Sequence, residues 1–231
     1  MDKIKVIGFD ADDTLWVNEP YFRETESKFC NLLKNGMGLE EVTEKLFEIE
    51  IGNIPLYGYG TKGFVLSMIE TGLKITKGNI LAEKIQAILE LGKAQMNKPI
   101  ELLDGVVEVL ENLKDKYRLI VATKGDLLDQ ERKLKKSGLL KYFHHIEVMS
   151  DKQIEDYQKL IKHLDVKPEE LLMVGNSLKS DILPVLQLGG NAVHVPYHTT
   201  WEHEKVGNTE IQDASYTEIR NIRELIALLP V

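Results

Sequence analysis

The sequence predicts an α/β fold: a doubly wound parallel sheet with a Rossmann-like core and an α-helical module inserted after its first strand. Two patterns predict it. Short apolar runs recur, each followed by a polar or glycine-bearing turn and then a helical pattern: Ile4 to Phe9, Leu119 to Ala122, Leu171 to Val174 and Ala192 to Val195. Runs of that kind are expected of strands buried on both faces, as in a parallel sheet covered by helices. The alternation lapses between Trp16 and about Pro99, where one helical spacing follows another with no strand between them.

Taken in order, Ile4 to Phe9 opens the sheet. Tyr21 to Leu33, Leu39 to Ile49, Phe64 to Ile69 and Ile80 to Leu91 carry apolar residues at helical spacing and make up the insertion. Pro99 and Gly105 bracket the return, and a helix from Val106 to Leu113 leads into the second strand, Leu119 to Ala122. Ile146 to Met149 is a weaker strand candidate. Lys152 to Leu164 follows it as a helix, with apolar positions at Ile154, Tyr157, Leu160, Ile161 and Leu164. The expected division is a core of residues 1–16 and 100–231 around an inserted unit of residues 17–99.

A chain of 231 residues, 43% hydrophobic, is long enough to bury a sizeable core. Its net charge of -8, with Lys and Arg scattered along the chain, leaves no basic footprint for nucleic acid or an anionic membrane surface. Neither is an expected partner, and nothing in the sequence marks an oligomeric state. The single cysteine, Cys30, excludes an intrachain disulfide; beside Phe22, Phe29 and Leu33, with no base nearby, it reads as a small buried thiol. No apolar run has the length of a membrane span or of a signal-peptide core, so a cytoplasmic location is expected.

The chemistry gathers at predicted strand ends. Phe9-Asp10-Ala11-Asp12-Asp13-Thr14-Leu15 sets three carboxylates at the carboxyl end of the first strand, where open α/β sheets bind ligands. Two unit charges roughly 4 Å apart at an effective dielectric of about 20 repel by about 4 kcal/mol, so convergence there implies a cation or a shared proton. A solvated acidic turn, with Asp12 or Thr14 capping a helix, is the alternative. Thr123 ends the second strand, beside backbone N–H groups suited to an anion. Lys152 stands at the start of a helix, the end that disfavours a cation. Gly175-Asn176-Ser177-Leu178-Lys179-Ser180-Asp181 adds an amide and a carboxylate, oxygen ligands fit for a hard cation.

In order and spacing, these four pieces resemble the motifs of the haloacid dehalogenase-like phosphatases: an Asp-x-Asp-x-Thr loop, a Ser or Thr, a Lys, and a Gly-Asp-x-x-x-x-Asp loop. The resemblance runs from Ile4 to about Pro196. It implies Asp10 as nucleophile, Asp12 as general acid and base, Thr123 orienting phosphoryl oxygens and Lys152 supplying positive charge. It also implies Mg2+ held by Asp10, the backbone carbonyl of Asp12 and Asp181, with Asn176 as an amide ligand or supporting partner. The substrate would be a small-molecule phosphate ester, and residues 17–99 would be the cap domain that part of the superfamily carries. Two departures stand out: Asp13 where a glycine is common, and Asn176 in place of the first aspartate of the last motif.

Other readings stay open. A haloacid dehalogenase needs neither an acid two residues after its nucleophile nor magnesium, so Asp12 speaks against it. A phosphomutase would share every motif, and Asn176 leaves room for a non-catalytic binding protein on the same fold. Gly58-Tyr59-Gly60-Thr61-Lys62-Gly63 matches a dinucleotide fingerprint, but no strand precedes it and Pro55 lies just upstream. The stretch Pro55 to Gly63 suits either a mobile substrate-facing loop or a plain helix connection. His194, His198 and His203 cluster around a loop that lacks the fixed frame a zinc site wants.

Overall fold

The computed structural model describes residues 1–34, 38–207 and 216–230. Its strands are β1 (Val6–Phe9), β2 (Arg118–Lys124), β3 (His145–Met149), β4 (Leu171–Gly175), β5 (Asn191–His194) and β6 (Thr217–Glu218). All pair in parallel, in the order β3-β2-β1-β4-β5-β6. The helices are α1 (Glu19–Leu33), α2 (Leu39–Tyr57), α3 (Thr61–Ile75), α4 (Ala82–Met96), α5 (Val106–Leu113), α6 (Leu127–Ser137), α7 (Ile154–Leu164), α8 (Leu183–Gln187) and α9 (Leu225–Leu228). None of them is long and apolar enough to cross a membrane.

The doubly wound sheet is the expected one, and β1 shows why its strands were readable. Each of its residues is buried, and because side chains alternate across a strand, neighbours serve different cores. Ile7 and Phe9 join Leu119, Val121, Leu172, Val174 and Val193 on one face, whereas Val6 joins Ile120, Ala122, Leu171 and Met173 on the other. The first face is covered by Val106, Val109, Leu110 and Leu113 of α5, the second by Tyr157, Leu160, Ile161 and Leu164 of α7. Both sets follow the i, i+3, i+4, i+7 stripe of an amphipathic helix. Each such side chain contributes roughly 1.5–3 kcal/mol when fully buried.

Two compact units emerge. One comprises Met1–Glu19, Ile100–Lys124 and Gln130–Val231; the other comprises Pro20–Pro99 with Gly125–Asp129. The helical unit has its own core, built from Phe29, Cys30 and Leu33 of α1, Val42 and Leu46 of α2, Phe64 and Met68 of α3, and Ile88 of α4. Cys30 is buried there with its sulfur on the Thr43 hydroxyl, and burial pushes the thiol up.

The helices outrun their sequence signals. The helical spacing from Leu39 ends at Ile49, yet α2 continues through Pro55 to Tyr57. The Asn53 amide explains the extra turns by bonding Ser67 (3.1 Å) and Glu70 (3.2 Å) on α3. The stretch Pro55 to Gly63 is therefore mostly helical, with Gly58–Gly60 alone outside α2 and α3. Gly58 and Gly60 supply positive φ angles of 72° and 99°. At Gly63 a Cβ would lie 2.6 Å from the Gly58 carbonyl oxygen, so these glycines shape a turn between helices. No residue range was forecast for the short edge strand β6 or for helices α6, α8 and α9.

Candidate active site

The order of the strands fixes where the site opens. Successive strands run outward from β1 through β2 to β3 on one side and through β4 to β5 and β6 on the other, so the loops leaving β1 and β4 part at the switch point. Asp10 extends the ladder by donating its N–H to the Val174 carbonyl at 2.9 Å. The chain then doubles back, with the Leu15 N–H on the Ala11 carbonyl and the Asp13 N–H on the Trp16 carbonyl, both at 2.8 Å. That turn places Asp13 at φ 61°, which accounts for the glycine common at this position; aspartate is among the side chains that tolerate it. Its carboxylate accepts the N–H groups of Asn18 (2.8 Å) and Glu19 (2.9 Å), the latter opening α1. Burial outweighs these bonds and pushes the Asp13 carboxyl up to about 8.

At the centre lies a buried triad of charges. The Lys152 ammonium donates to Asp10 Oδ1 at 2.5 Å and to Asp181 Oδ1 at 2.6 Å, and both Lys152 and Asp181 are 1% exposed. The expected helix start is displaced: α7 begins at Ile154 behind a capping box of Gln153 and Asp156, which leaves Lys152 ahead of the helix with its side chain buried. Burial works against the ammonium, but the two carboxylates outweigh it and hold Lys152 protonated. For Asp10, burial raises the carboxyl, Lys152 lowers it, and Asp181 raises it again, with a net rise to about 7. Two buried carboxylates share one ammonium, so the site carries surplus negative charge that a further cation would balance.

Asp181 reaches Lys152 by folding back over the end of β4. Its Oδ2 accepts the Ser177 N–H at 2.9 Å, and a π-helical turn over Leu178–Ile182 carries it there. A Cβ on Gly175 would lie 2.2 Å from Asp181 Oδ2, so glycine is required for this approach. The loop is clamped from outside. Glu204 accepts from Ser180 Oγ at 2.6 Å and also from Ser177 and Lys124, while His194 Nε2 meets the Asn176 carbonyl at 3.1 Å. Burial raises the Glu204 carboxyl, but the Lys124 charge and these hydrogen bonds prevail and hold it at about 2.

Asp12 has a separate set of partners. It accepts from Trp16 Nε1 at 2.7 Å, from Gln130 Nε2 at 3.0 Å, and from Lys133 Nζ at 2.6 and 2.7 Å. The Gln130 amide also donates to the Thr123 hydroxyl at 2.9 Å, which joins the end of β2 to Asp12. The structure thus brings Asp10, Lys152 and Asp181 into direct contact, and ties Thr123 to Asp12 through a residue that motif reading missed.

Asn176 faces the oxygens of the first loop. Its Oδ1 accepts from Thr14 Oγ1 at 3.2 Å and stands beside Asp10 Oδ2 and the Asp12 carbonyl, at 3.2 and 3.3 Å; with the amide turned over, its nitrogen would donate to the same three oxygens. With Oδ1 so placed, the set comprises a carboxylate oxygen, a backbone carbonyl and an amide oxygen, beside a surplus negative charge. This fits a hard cation that keeps several waters. Among the described residues no three His, Cys, Asp or Glu side chains surround a common point, and a cation held in that manner needs none. Asp181, expected as a ligand, gives its oxygens to Lys152 and Ser177 and meets the site through the lysine. Of the histidines, His194 bonds Glu218 and Asn176, and His198 bonds Thr199.

The chain as a whole matches known proteins. The family model for haloacid dehalogenase-like hydrolases matches residues 4–189. A solved haloacid dehalogenase-like hydrolase from Xanthomonas campestris is 35% identical, with a TM-score of 0.86 over 98% of this chain and 90% of that one. The putative hydrolase YfnB of Bacillus subtilis, solved bound to magnesium, shares the fold at 20% identity and a TM-score of 0.67, covering 99% of this chain and 100% of that one. The glyceraldehyde 3-phosphate phosphatase of Pyrococcus furiosus is 27% identical over 98% of this chain and 94% of its own length. With the family model matching residues 4–189, which take in β1 to β4 and the inserted helices, the chain belongs to the haloacid dehalogenase-like hydrolases.

Proposed function

We propose that this protein hydrolyses a small phosphate monoester in a magnesium-dependent reaction that passes through a phosphoryl group carried on Asp10. The observation that carries this reading is a buried carboxylate at the sheet's switch point, with one oxygen on Lys152 and a second carboxylate two residues on. The similarity to a phosphatase along almost the whole chain supports the enzyme class. All of these side chains belong to the α/β unit, which we take as the catalytic domain. The helical unit, with its separate core, is taken as the cap domain that selects the substrate.

In the first step an Asp10 oxygen attacks phosphorus, the bond to the leaving alcohol breaks, and a proton on Asp12 goes to the departing oxygen. In the second, water attacks the same phosphorus, Asp12 takes the water's proton, and phosphate leaves Asp10 regenerated. Lys152 offsets the repulsion between the anionic nucleophile and the phosphate, and Thr123 orients a phosphoryl oxygen. Asp10, the Asp12 carbonyl and Asn176 would hold magnesium, with Asp181 behind them on Lys152. When bound, the ion adds positive charge beside the transferring group.

A panel of phosphate esters, assayed with and without magnesium, tests the reading; no turnover of any ester in the presence of the ion would overturn it. Asp12→Asn is expected to lose on the order of 10²–10⁴-fold on an alkyl phosphate and much less on nitrophenyl phosphate, whose leaving group needs little protonation. Equal losses on both would remove the acid role from Asp12. Gly175→Ala is expected to push Asp181 off Lys152, at a cost of about 1–3 kcal/mol in stability and at least about tenfold in turnover. Wild-type values for both quantities would show that the contact is dispensable.

A further inference from the structure

The carboxylate of Asp12 accepts four hydrogen bonds from three side chains. One comes from Trp16 in the same loop. The others come from Gln130 and Lys133, which lie one turn apart on α6 and so share a face of that helix. We propose that Gln130 and Lys133 are positioning residues that aim Asp12 at the leaving group, and that Gln130 holds Thr123 in register with it. This rests on the phosphatase reading and assigns two further residues to its machinery.

Gln130 is 4% exposed, and its amide nitrogen sits among Asp12 Oδ2 (3.0 Å), Thr123 Oγ1 (2.9 Å) and the Lys124 carbonyl (2.6 Å). Its Oε1 is buried without a partner. An unpaired buried acceptor is unfavourable, yet turning the amide over would set that oxygen against a carboxylate and a carbonyl. The amide nitrogen is therefore locked toward Asp12, Thr123 and the Lys124 carbonyl. Lys133 has a side chain only 15% exposed and reaches both Asp12 oxygens and Asn18 Oδ1, so the flexible carboxylate is fixed from a second direction. A general acid must lie within hydrogen-bond reach of the oxygen it protonates, and small misplacements are costly.

The test uses leaving groups. Wild type, Lys133→Met, Lys133→Arg and Gln130→Met are assayed on nitrophenyl phosphate and on glycerol phosphate with magnesium present. Lys133→Met is expected to lose about 10- to 100-fold in kcat on the alkyl ester and about threefold or less on the aryl ester, and Lys133→Arg to recover most of the loss. Gln130→Met is expected to show the same split and, through Thr123, a raised KM for both esters. Each ratio comes from one preparation, so a partly unfolded variant does not disturb it. Equal losses on the two esters, no loss on either, or failure of arginine to rescue would overturn the proposal. A wild type inactive on every ester would instead overturn the phosphatase reading, and this one with it.

Discussion

Asp10→Asn is expected to abolish turnover, by a factor on the order of 10⁴ or more, while the protein stays folded. The amide cannot serve as the attacking oxygen or form the acyl phosphate. Its fold should be untroubled, because Lys152 keeps Asp181 at 2.6 Å and the substitution removes one of two carboxylates sharing that ammonium. Burial already pushes Asp10 up to about 7, so a neutral group of the same shape relieves the pocket. A melting temperature equal to or above that of wild type, with turnover lost, is the expected pair of results. Turnover within about tenfold of wild type would remove Asp10 from the reaction.

Lys152→Met separates the two roles of the lysine. It leaves Asp10 and Asp181 buried together without their shared cation, and breaking a buried ion pair from one side costs about 3–5 kcal/mol. Activity should fall on the order of 10³-fold, because the charge beside the transferring group is gone. Adding Asp181→Asn to this variant removes one of the stranded charges and should restore much of the stability but not the rate. Urea denaturation of the single and double variants measures the coupling. If Lys152→Met is as stable as wild type, the buried triad does not bear on stability as described.

The sequence revealed what is local and periodic. The strands were legible because a sheet covered on both faces demands uninterrupted apolar runs, as in Val6–Phe9 and Leu171–Gly175. The motif residues were legible because each follows a strand. What escaped depends on contacts between distant segments. Helix α6 buries little beyond Gln130 and Leu134 and reads as a polar stretch, so its place beside Asp12 was hidden. A Gln and a Lys three residues apart just after Thr123 was the signal available. Glu204 lies 24 residues beyond Ser180 and took its role only when the chain folded back. The burial of Lys152 followed from the capping of α7 at Gln153, a shift too small for periodicity to detect.

The central claim is that Asp10 carries the phosphoryl group, and trapping that intermediate tests it most directly. Protein mixed with a labelled phosphate ester and magnesium is quenched in acid within one turnover, then digested and examined by mass spectrometry. The account predicts a hydroxylamine-sensitive phosphoryl group on the peptide containing Asp10, absent from Asp10→Asn. Phosphate released within that turnover with no label on the protein, or label on a residue other than Asp10, would contradict it.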